Sequence, residues 1–406
     1  MQLEIITTDA GFAALRDDWN RLAGADPLNG WEWNHAWWQE FRRAGRLAIG
    51  VVREGVGGKR GEITAIAPLY SVRRSLQGHV LQFLGSGKAC TDYRRILLGS
   101  TTDQNRIARV VGALLDAAAW KQSGFGPVDL WELEGIDVEE PSMQVLVAGL
   151  RSLGYSIAHD ALESTWATTL PESWEAFVAS THRTIRRKIH KARRRAEDPE
   201  IGFHTASDPT EIADAWAQFV RLHQCRFQEK VVGGGCFTDP TFERFLKSAV
   251  EPLAAQGKVR LLWCSYRGAP ISIQLYLLGG DTAYMYQSGF DPQYSQLEPG
   301  HLLYSFTVAY LIATGFTKLD FLRGDESYKA DWNGRPNPLA RVRCVSPRIT
   351  SRLRDRLFLA ARAAKRIAGE FRSRTGKPQP THNHRSPQSA PGATAAPHEQ
   401  QELVEV

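Results

Sequence analysis

The residues best suited to chemistry concentrate between Tyr284 and Trp332. This stretch reads Tyr-Met-Tyr-Gln-Ser-Gly-Phe-Asp-Pro-Gln-Tyr, then Glu-Pro-Gly-His-Leu-Leu, then Leu-Asp-Phe-Leu-Arg-Gly-Asp-Glu-Ser-Tyr-Lys-Ala-Asp-Trp. Its pattern predicts a strand, a Gly-ended loop, a helix opening at His301, a returning strand and a charged loop. A helix start carries unpaired N–H groups and the positive end of the macrodipole. The amides of Gly300, His301 and Leu302 could therefore cradle an anion such as a pyrophosphate, and Gly300 lets it come close to the backbone. A lone glycine there serves equally well to shape a turn. Past the returning strand, Arg323-Gly324-Asp325-Glu326-Ser327-Tyr328-Lys329 gathers cations, carboxylates and a phenol. Strand ends beside a crossover are where α/β sheets place ligands. The plainer reading is a solvated charged loop.

A second constellation is cationic. Thr181–Ala196 reads as a helix with Arg183, Arg186, Arg187, Lys188, Lys191, Arg193, Arg194 and Arg195, and no acid lies between Glu175 and Glu197. Ile185, Ile189, Ala192 and Ala196 form a narrow apolar stripe, so one side packs. Eight like charges need a partner or solvent: nucleic acid, an anionic lipid surface, a phosphorylated sugar donor, or water alone. Further on, Ser346-Pro347 reads as the cap and first residue of another helix, with Leu353, Leu357, Ala360, Ala364, Ile367 and Phe371 at 3–4 spacing. Nine Lys or Arg between Arg348 and Arg374 face only Asp355 and Glu370. This helix either packs on the second domain, docks on a partner or lies on an anionic membrane surface.

The elements that would position these groups repeat. Thr8-Asp9 opens a helical pattern of Phe12, Leu15, Trp19 and Leu22, and Trp31–Phe41 forms a second helix. Strand-like runs follow at Leu47–Arg53, Glu62–Val72, Val80–Gly85 and Tyr93–Leu98, with a Gly-rich turn over Glu54–Gly61. A helix over Ile107–Trp120 and a strand over Val128–Leu133 complete the set. The same order returns with helices over Pro209–Glu229, capped by Asp208, and Pro240–Gln256. Then come a hairpin of Val259–Tyr266 and Ile271–Leu278, a strand Ala283–Gly289, a helix His301–Gly315 and a strand Lys318–Leu322. Two such rounds about 210 residues apart are a duplicated domain, with a mixed α/β sheet in each.

A chain of 406 residues with 43% hydrophobic and 23% charged residues is an ordinary globular composition for two domains. The early tryptophans, Trp19, Trp31, Trp33, Trp37 and Trp38, read as core or a domain interface, with sugar stacking the sharper alternative. Five widely spaced cysteines, never CxxC, form neither a disulfide framework nor a zinc site, which fits a reducing cytoplasm. The start has no signal-peptide pattern. The uncharged run Pro299–Thr317 is too polar for a bilayer span. Beyond Thr375 the prolines and missing aromatics predict disorder, and His382, His384 and His398 belong to that tail.

Gly289-Phe290-Asp291-Pro292 with Tyr294, then Pro299-Gly300, then Asp320-Phe321-Leu322-Arg323-Gly324 with Tyr328-Lys329 and Trp332, resemble the closing signature of the CelD/BcsL family. These are GNAT-related, acyltransferase-like proteins associated with bacterial cellulose biosynthesis. Ala67-Pro68-Leu69, Phe83-Leu84-Gly85 before Asp92-Tyr93, and the basic stretch after Trp174 agree with it. The similarity covers roughly residues 5–345 and implies tandem GNAT-like domains, akin also to the FemABX peptidyltransferases. The expected layout is a GNAT-like domain over 1–160, a catalytic one over 161–346, a basic amphipathic helix over 347–374 and a disordered tail over 375–406.

The resemblance implies transfer of an acetyl or other acyl group from acyl-CoA to an amine or hydroxyl, on a sugar or envelope-polysaccharide precursor, with no metal. On their chemistry and position, Gln287, Gly300, His301, Leu302, Arg323, Gly324 and Lys329 are expected around the donor, and Arg183, Arg186, Arg187, Tyr294 and Trp332 around an anionic substrate. Asp320 or Glu326 would take the proton of the acceptor, and Tyr328 would protonate the leaving group. One departure matters: Gln296-Leu297-Glu298-Pro299-Gly300 has a single glycine where GNAT enzymes space several. An aminoacyl-tRNA donor therefore stays open, as does a non-catalytic accessory role in a polysaccharide complex. Gly85–Gly99, the counterpart in the first round, lacks a Pro-Gly helix start and is expected to be structural. The location implied is cytoplasmic or peripheral at the inner membrane surface.

Overall fold

Helix- and strand-forming stretches alternate in an order that runs twice. A computed structural model describes residues 1–42, 45–55, 61–99, 101, 103–227 and 235–375. The first round is β1 (Gln2–Ile6), α1 (Asp9–Ala13), α2 (Arg16–Ala23), α3 (Trp31–Phe41), β2 (Gly45–Leu47), β3 (Ile49–Glu54), β4 (Glu62–Ala67), β5 (Leu69–Arg74), β6 (Gly78–Phe83), α4 (Gln104–Leu114), α5 (Ala117–Gln122), β7 (Leu130–Asp137), α6 (Pro141–Ser152) and β8 (Ser156–Ala161). The second is β9 (Thr165–Thr169), α7 (Trp174–Ser180), α8 (Arg183–Arg195), β10 (Ile201–Ala206), α9 (Pro209–Phe227), α10 (Pro240–Ala255), β11 (Val259–Tyr266), β12 (Ala269–Gly279), β13 (Thr282–Phe290), α11 (Pro299–Ala313), β14 (Lys318–Arg323), α12 (Tyr328–Asp331), β15 (Arg335–Asn337) and β16 (Leu339–Val345). A last helix, α13, spans Ile349–Thr375. Met1–Phe358 form one compact unit, and a second begins at Leu359.

Local chemistry sets the boundaries. The Thr8 side chain accepts from the Gly11 amide, and Asp208 accepts from those of Thr210 and Glu211, as their positions predict. The single helix expected over Ile107–Trp120 breaks in two because Asp116 caps a new start by accepting from Ala118 N. The run Glu62–Val72 splits at Pro68, which has no N–H to extend a ladder. Its first part joins the sheet β1-β3-β4, and its second joins the sheet β2-β5-β6-β7-β16-β8. Tyr93–Leu98 makes a single bridge, Ile66 to Leu97, rather than the expected strand. The helix expected from Ser346-Pro347 opens at Ile349. The tail beyond Thr375 and part of the turn Glu54–Gly61 lie outside the described residues.

The third sheet has the order β10-β11-β12-β13-β14-β9-β15. The four strands β10 to β13 are antiparallel, and β13 and β14 are parallel. α9 and α10 cover one face, while α8 and α11 cover the other. The two rounds are interlocked by a crossing strand. After β8 the chain crosses over, and β9 inserts between β14 and β15 of the second sheet. After β15 it returns, and β16 inserts between β7 and β8 of the first. β9 thus stays in the sheet of its own round, while β16, the last strand of the second round, completes the sheet of the first. The early tryptophans pack at the same joint: Trp33 meets Phe245 and Tyr286 edge-on, with ring centroids 4.9 Å apart in each pair.

Candidate active site

The site follows from how β13 and β14 part. Their parallel ladder holds only from Thr282–Lys318 to Tyr284–Asp320, although β13 runs on to Phe290 and β14 to Arg323. A bulge in β13 at Tyr286, opposite Leu275/Tyr276, also shifts its register against β12. α9 ends beside this opening and lays Arg226 across it. The Arg226 Nη1 donates to Ser288 Oγ at 2.5 Å and to Ser288 O at 3.3 Å on β13. Its Nη2 lies 3.9 Å from Glu326 Oε1, just past β14. The Tyr328 hydroxyl interacts with both Arg226 and Tyr304. Burial, then the neighbouring Glu326 charge, pushes the Tyr328 phenol up to about 12, so it holds its proton at neutral pH. Glu326 is the half-exposed carboxylate of this group.

His223, one turn back on α9, approaches Gln287 Oε1 at 3.1 Å and Cys236 Sγ at 3.5 Å through Nε2. Burial pushes it down to about 4, leaving a neutral imidazole whose buried Nδ1 has no partner among the described residues. Expectations from sequence thus reach Gln287, Glu326 and Tyr328 but miss His223, Arg226 and Ser288. The available signal was His223 and Arg226 three residues apart, on one face of a helix leading to the site.

The second part of the site is the start of α11. Glu298 takes the left-handed conformation at φ 53, where a glycine would sit without strain. Two ion pairs hold it there: Lys191 Nζ at 2.9 Å and Arg195 Nη1 at 2.6 Å from Oε2. Hydrogen bonding from Lys191 keeps its carboxyl below the usual range. Leu302 N bonds Glu298 O at 3.1 Å and its side chain is buried. The amides of Gly300 and His301 are the first without an acceptor among the described residues. A Cβ built on Gly300 would meet nothing within 4 Å. Lys188, which is 3.6 Å from Asp331, completes the corner. Three cations (Lys188, Lys191, Arg195) against two carboxylates (Glu298, Asp331) leave one positive charge beside two free amides. These residues fit a phosphate group. Burial and then Lys188 lower the pKa of His301, whose buried Nδ1 is unpartnered.

Other expected site residues have different employment. Asp320 is fully buried and receives Tyr93 Oη at 2.7 Å and Leu322 N at 2.9 Å, which makes it a pin between the halves. Desolvation raises its pKa. Arg323 is held by Asp92 (Nε to Oδ1, 2.8 Å) and Glu134 (Nη1 to Oε1, 3.2 Å), so its charge is already met at the joint. Lys329 is buried, with Nζ donating to the carbonyls of Leu322, Arg323 and Gly324 and pairing with Glu326 at 2.9 Å. That leaves it no donor for an anion. Gly324 must be glycine, because a Cβ would collide with Glu326 and Lys329 at φ 127. Trp332 is buried among Phe177, Tyr304 and His301. Tyr294 is half-buried beside Tyr266. Arg186 caps α7 through the carbonyls of Val178, Ala179 and Thr181. Arg183 and Arg187 point into solvent. A separate groove of about 340 Å³, lined by Glu211, Asp214, Gln218 and Trp263 among others, lies on the other side of α9 and shares none of these residues.

Residues 179–330 match the acetyltransferase (GNAT) domain family, which covers less than half of the chain. No curated protein matches. Among solved structures, FemX is similar at 13% identity and a TM-score of 0.56, over 84% of this chain and 97% of that one. A conserved protein of unknown function from Bacteroides thetaiotaomicron VPI-5482 is similar at 10% identity and a TM-score of 0.50, over 84% and 99%. A tandem GNAT protein from the clavulanic acid biosynthesis pathway follows at 10% and 0.44, over 86% and 98%. Residues 179–330 are therefore GNAT-like, and over 84% of its length the chain is similar in fold to FemX. Nothing among these likenesses singles out the CelD/BcsL proteins.

Proposed function

We propose that the chain is an acyltransferase that moves an acetyl or other acyl group from acyl-CoA to an amine or hydroxyl. The observation that carries this is the pairing of two features in the second half: a free, cationic helix start at Gly300–His301 and an opening between β13 and β14 lined by Arg226, Glu326 and Tyr328. The thioester supplies the acyl group. The amides of Gly300 and His301, with Lys188 and Lys191, hold the donor's phosphates. Glu326 takes the proton of the attacking amine or hydroxyl as the new C–N or C–O bond forms. Tyr328 gives its proton to the sulfur as the C–S bond breaks, and the proton on Glu326 returns to the phenolate through solvent. Arg226 stands beside the carbonyl oxygen that gathers charge.

The acceptor we favour is a sugar or envelope-polysaccharide precursor, on the strength of the CelD/BcsL-like residues alone. The test is thermal stabilisation by acetyl-CoA against a dephospho control, together with thiol release in the presence of amine and hydroxyl sugars. Saturable stabilisation with release supports the reading. Neither one would leave a non-catalytic accessory protein.

One observation favours a second reading, an aminoacyl-tRNA-dependent transfer. Arg183, Arg187, Arg193 and Arg194 on α8 are exposed and pair with no carboxylate among the described residues, which suits a polyanion. Salt-sensitive tRNA binding, lost on neutralising these four, would support it; its absence would remove it. No described helix is long and apolar enough to cross a membrane, and we place the protein in the cytoplasm.

A further inference from the structure

Of the nine large hydrophobic side chains exposed among the described residues, five sit on α13: Ile349, Leu353, Leu357, Leu359 and Ile367. Ile349 is 85% exposed, Leu353 57% and Leu357 53%. The reason is the way the helix is seated. Ser351 Oγ donates to Asp129, Asp355 accepts from Arg343 Nη2 at 2.6 Å, and the Arg343 guanidinium lies 5.4 Å from the Phe358 ring. At helical spacing, Ser351, Asp355 and Phe358 share one side, so Ile349, Leu353 and Leu357 occupy the opposite one. Exposed cations border this row: Arg352 and Arg356 on one flank, Arg354 on the other.

We infer that α13 binds the surface of an anionic lipid bilayer, with Ile349, Leu353 and Leu357 below the headgroups and the neighbouring arginines at the phosphates. Charge decides among the occupants. A second copy of the helix would bring two sets of nine Lys or Arg against each other, with only Asp355 and Glu370 to offset each set, and Asp355 is already paired with Arg343. A nucleic acid would satisfy the cations but leave the apolar row in water. An anionic interface accepts both, because arginine stems lie along the apolar boundary while their heads reach phosphate.

The test is cosedimentation of the full chain with vesicles of phosphatidylcholine alone and of phosphatidylcholine with phosphatidylglycerol at about 3:1. Binding to the anionic vesicles is expected, roughly tenfold or more above the neutral ones, and to fall by about tenfold in Leu353→Glu/Leu357→Glu. Both positions are exposed, so the melting temperature should hold; Leu357→Ser, with a smaller loss of binding, serves as the milder variant. Three outcomes overturn the inference: no binding to anionic vesicles, binding that the double variant retains, or a dimer in sedimentation velocity abolished by the double variant without lipid binding. Lipid binding is read without any acyl donor, so it stands or falls apart from the transferase reading.

Discussion

Arg226 and Glu326 face each other at 3.9 Å across the mouth between β13 and β14, one from the end of a helix and one from the loop after a strand. The separation is too long for a tight ion pair; Lys329 holds Oε2 at 2.9 Å, and the half-exposed side chain leaves Oε1 as the oxygen we assign to proton transfer. Glu326→Gln should therefore lower turnover by about 10²–10⁴-fold while leaving acetyl-CoA affinity unchanged. Thiol release under saturating donor reads the first and calorimetry the second. Equal turnover would remove Glu326 as the base.

Tyr93→Phe removes a bond that reaches 227 residues along the chain to Asp320. The buried carboxylate would lose its phenolic donor, at a cost of about 1–3 kcal/mol. Urea unfolding measures it, and a change below about 0.5 kcal/mol would deny the pin its importance.

The crossing strand β16 predicts that the halves unfold together. Val342 is buried on β16 between β7 and β8, so Val342→Asp should destabilise by more than about 3 kcal/mol. Tryptophan fluorescence and far-ultraviolet circular dichroism should then report one coincident transition, in the variant as in the parent. Two separated transitions would mean that the halves stand independently.

Much of this was legible in advance. The helix–helix–hairpin–strand–helix–strand order comes from period and caps, which are local signals, and so does the helix start at Pro299-Gly300. The crossing was not legible. β16 pairs with β7 and β8 of the first round, and nothing in Leu339–Val345 says that it leaves the second round's sheet. The surroundings of the expected site residues were only partly legible. Residue type marks Glu326 and Tyr328, but whether Arg323 and Lys329 are free depends on Asp92, Glu134 and three carbonyls that only the fold brings near. Arg226 was missed because it sits at the end of a helix whose pattern spoke only of packing.

A pH dependence follows from His223. Its folded pKa, about 4, is depressed below the ordinary value of about 6.5, chiefly by burial, so the folded protein binds fewer protons than the unfolded chain between them. Its contribution is present above about pH 6.5 and is lost as pH falls through about 4, on the order of 3 kcal/mol in all. Stability of His223→Gln, measured by urea unfolding from pH 7.5 to 4.5, should fall less steeply than that of the parent. Parallel curves would contradict the assignment.

A carboxylate introduced at position 300 probes the donor site most sharply. Gly300 has open space around it, and an acid in the first turn of α11 suits the helix dipole, so Gly300→Asp should fold at least as stably as the parent. It would also set a negative charge where the donor's phosphates are held. Calorimetric titration with acetyl-CoA is expected to show saturable binding to the parent, weakened about tenfold or more in Gly300→Asp. Equal affinity in the two proteins, or no binding by the parent, would contradict an acyl-CoA site at the start of this helix.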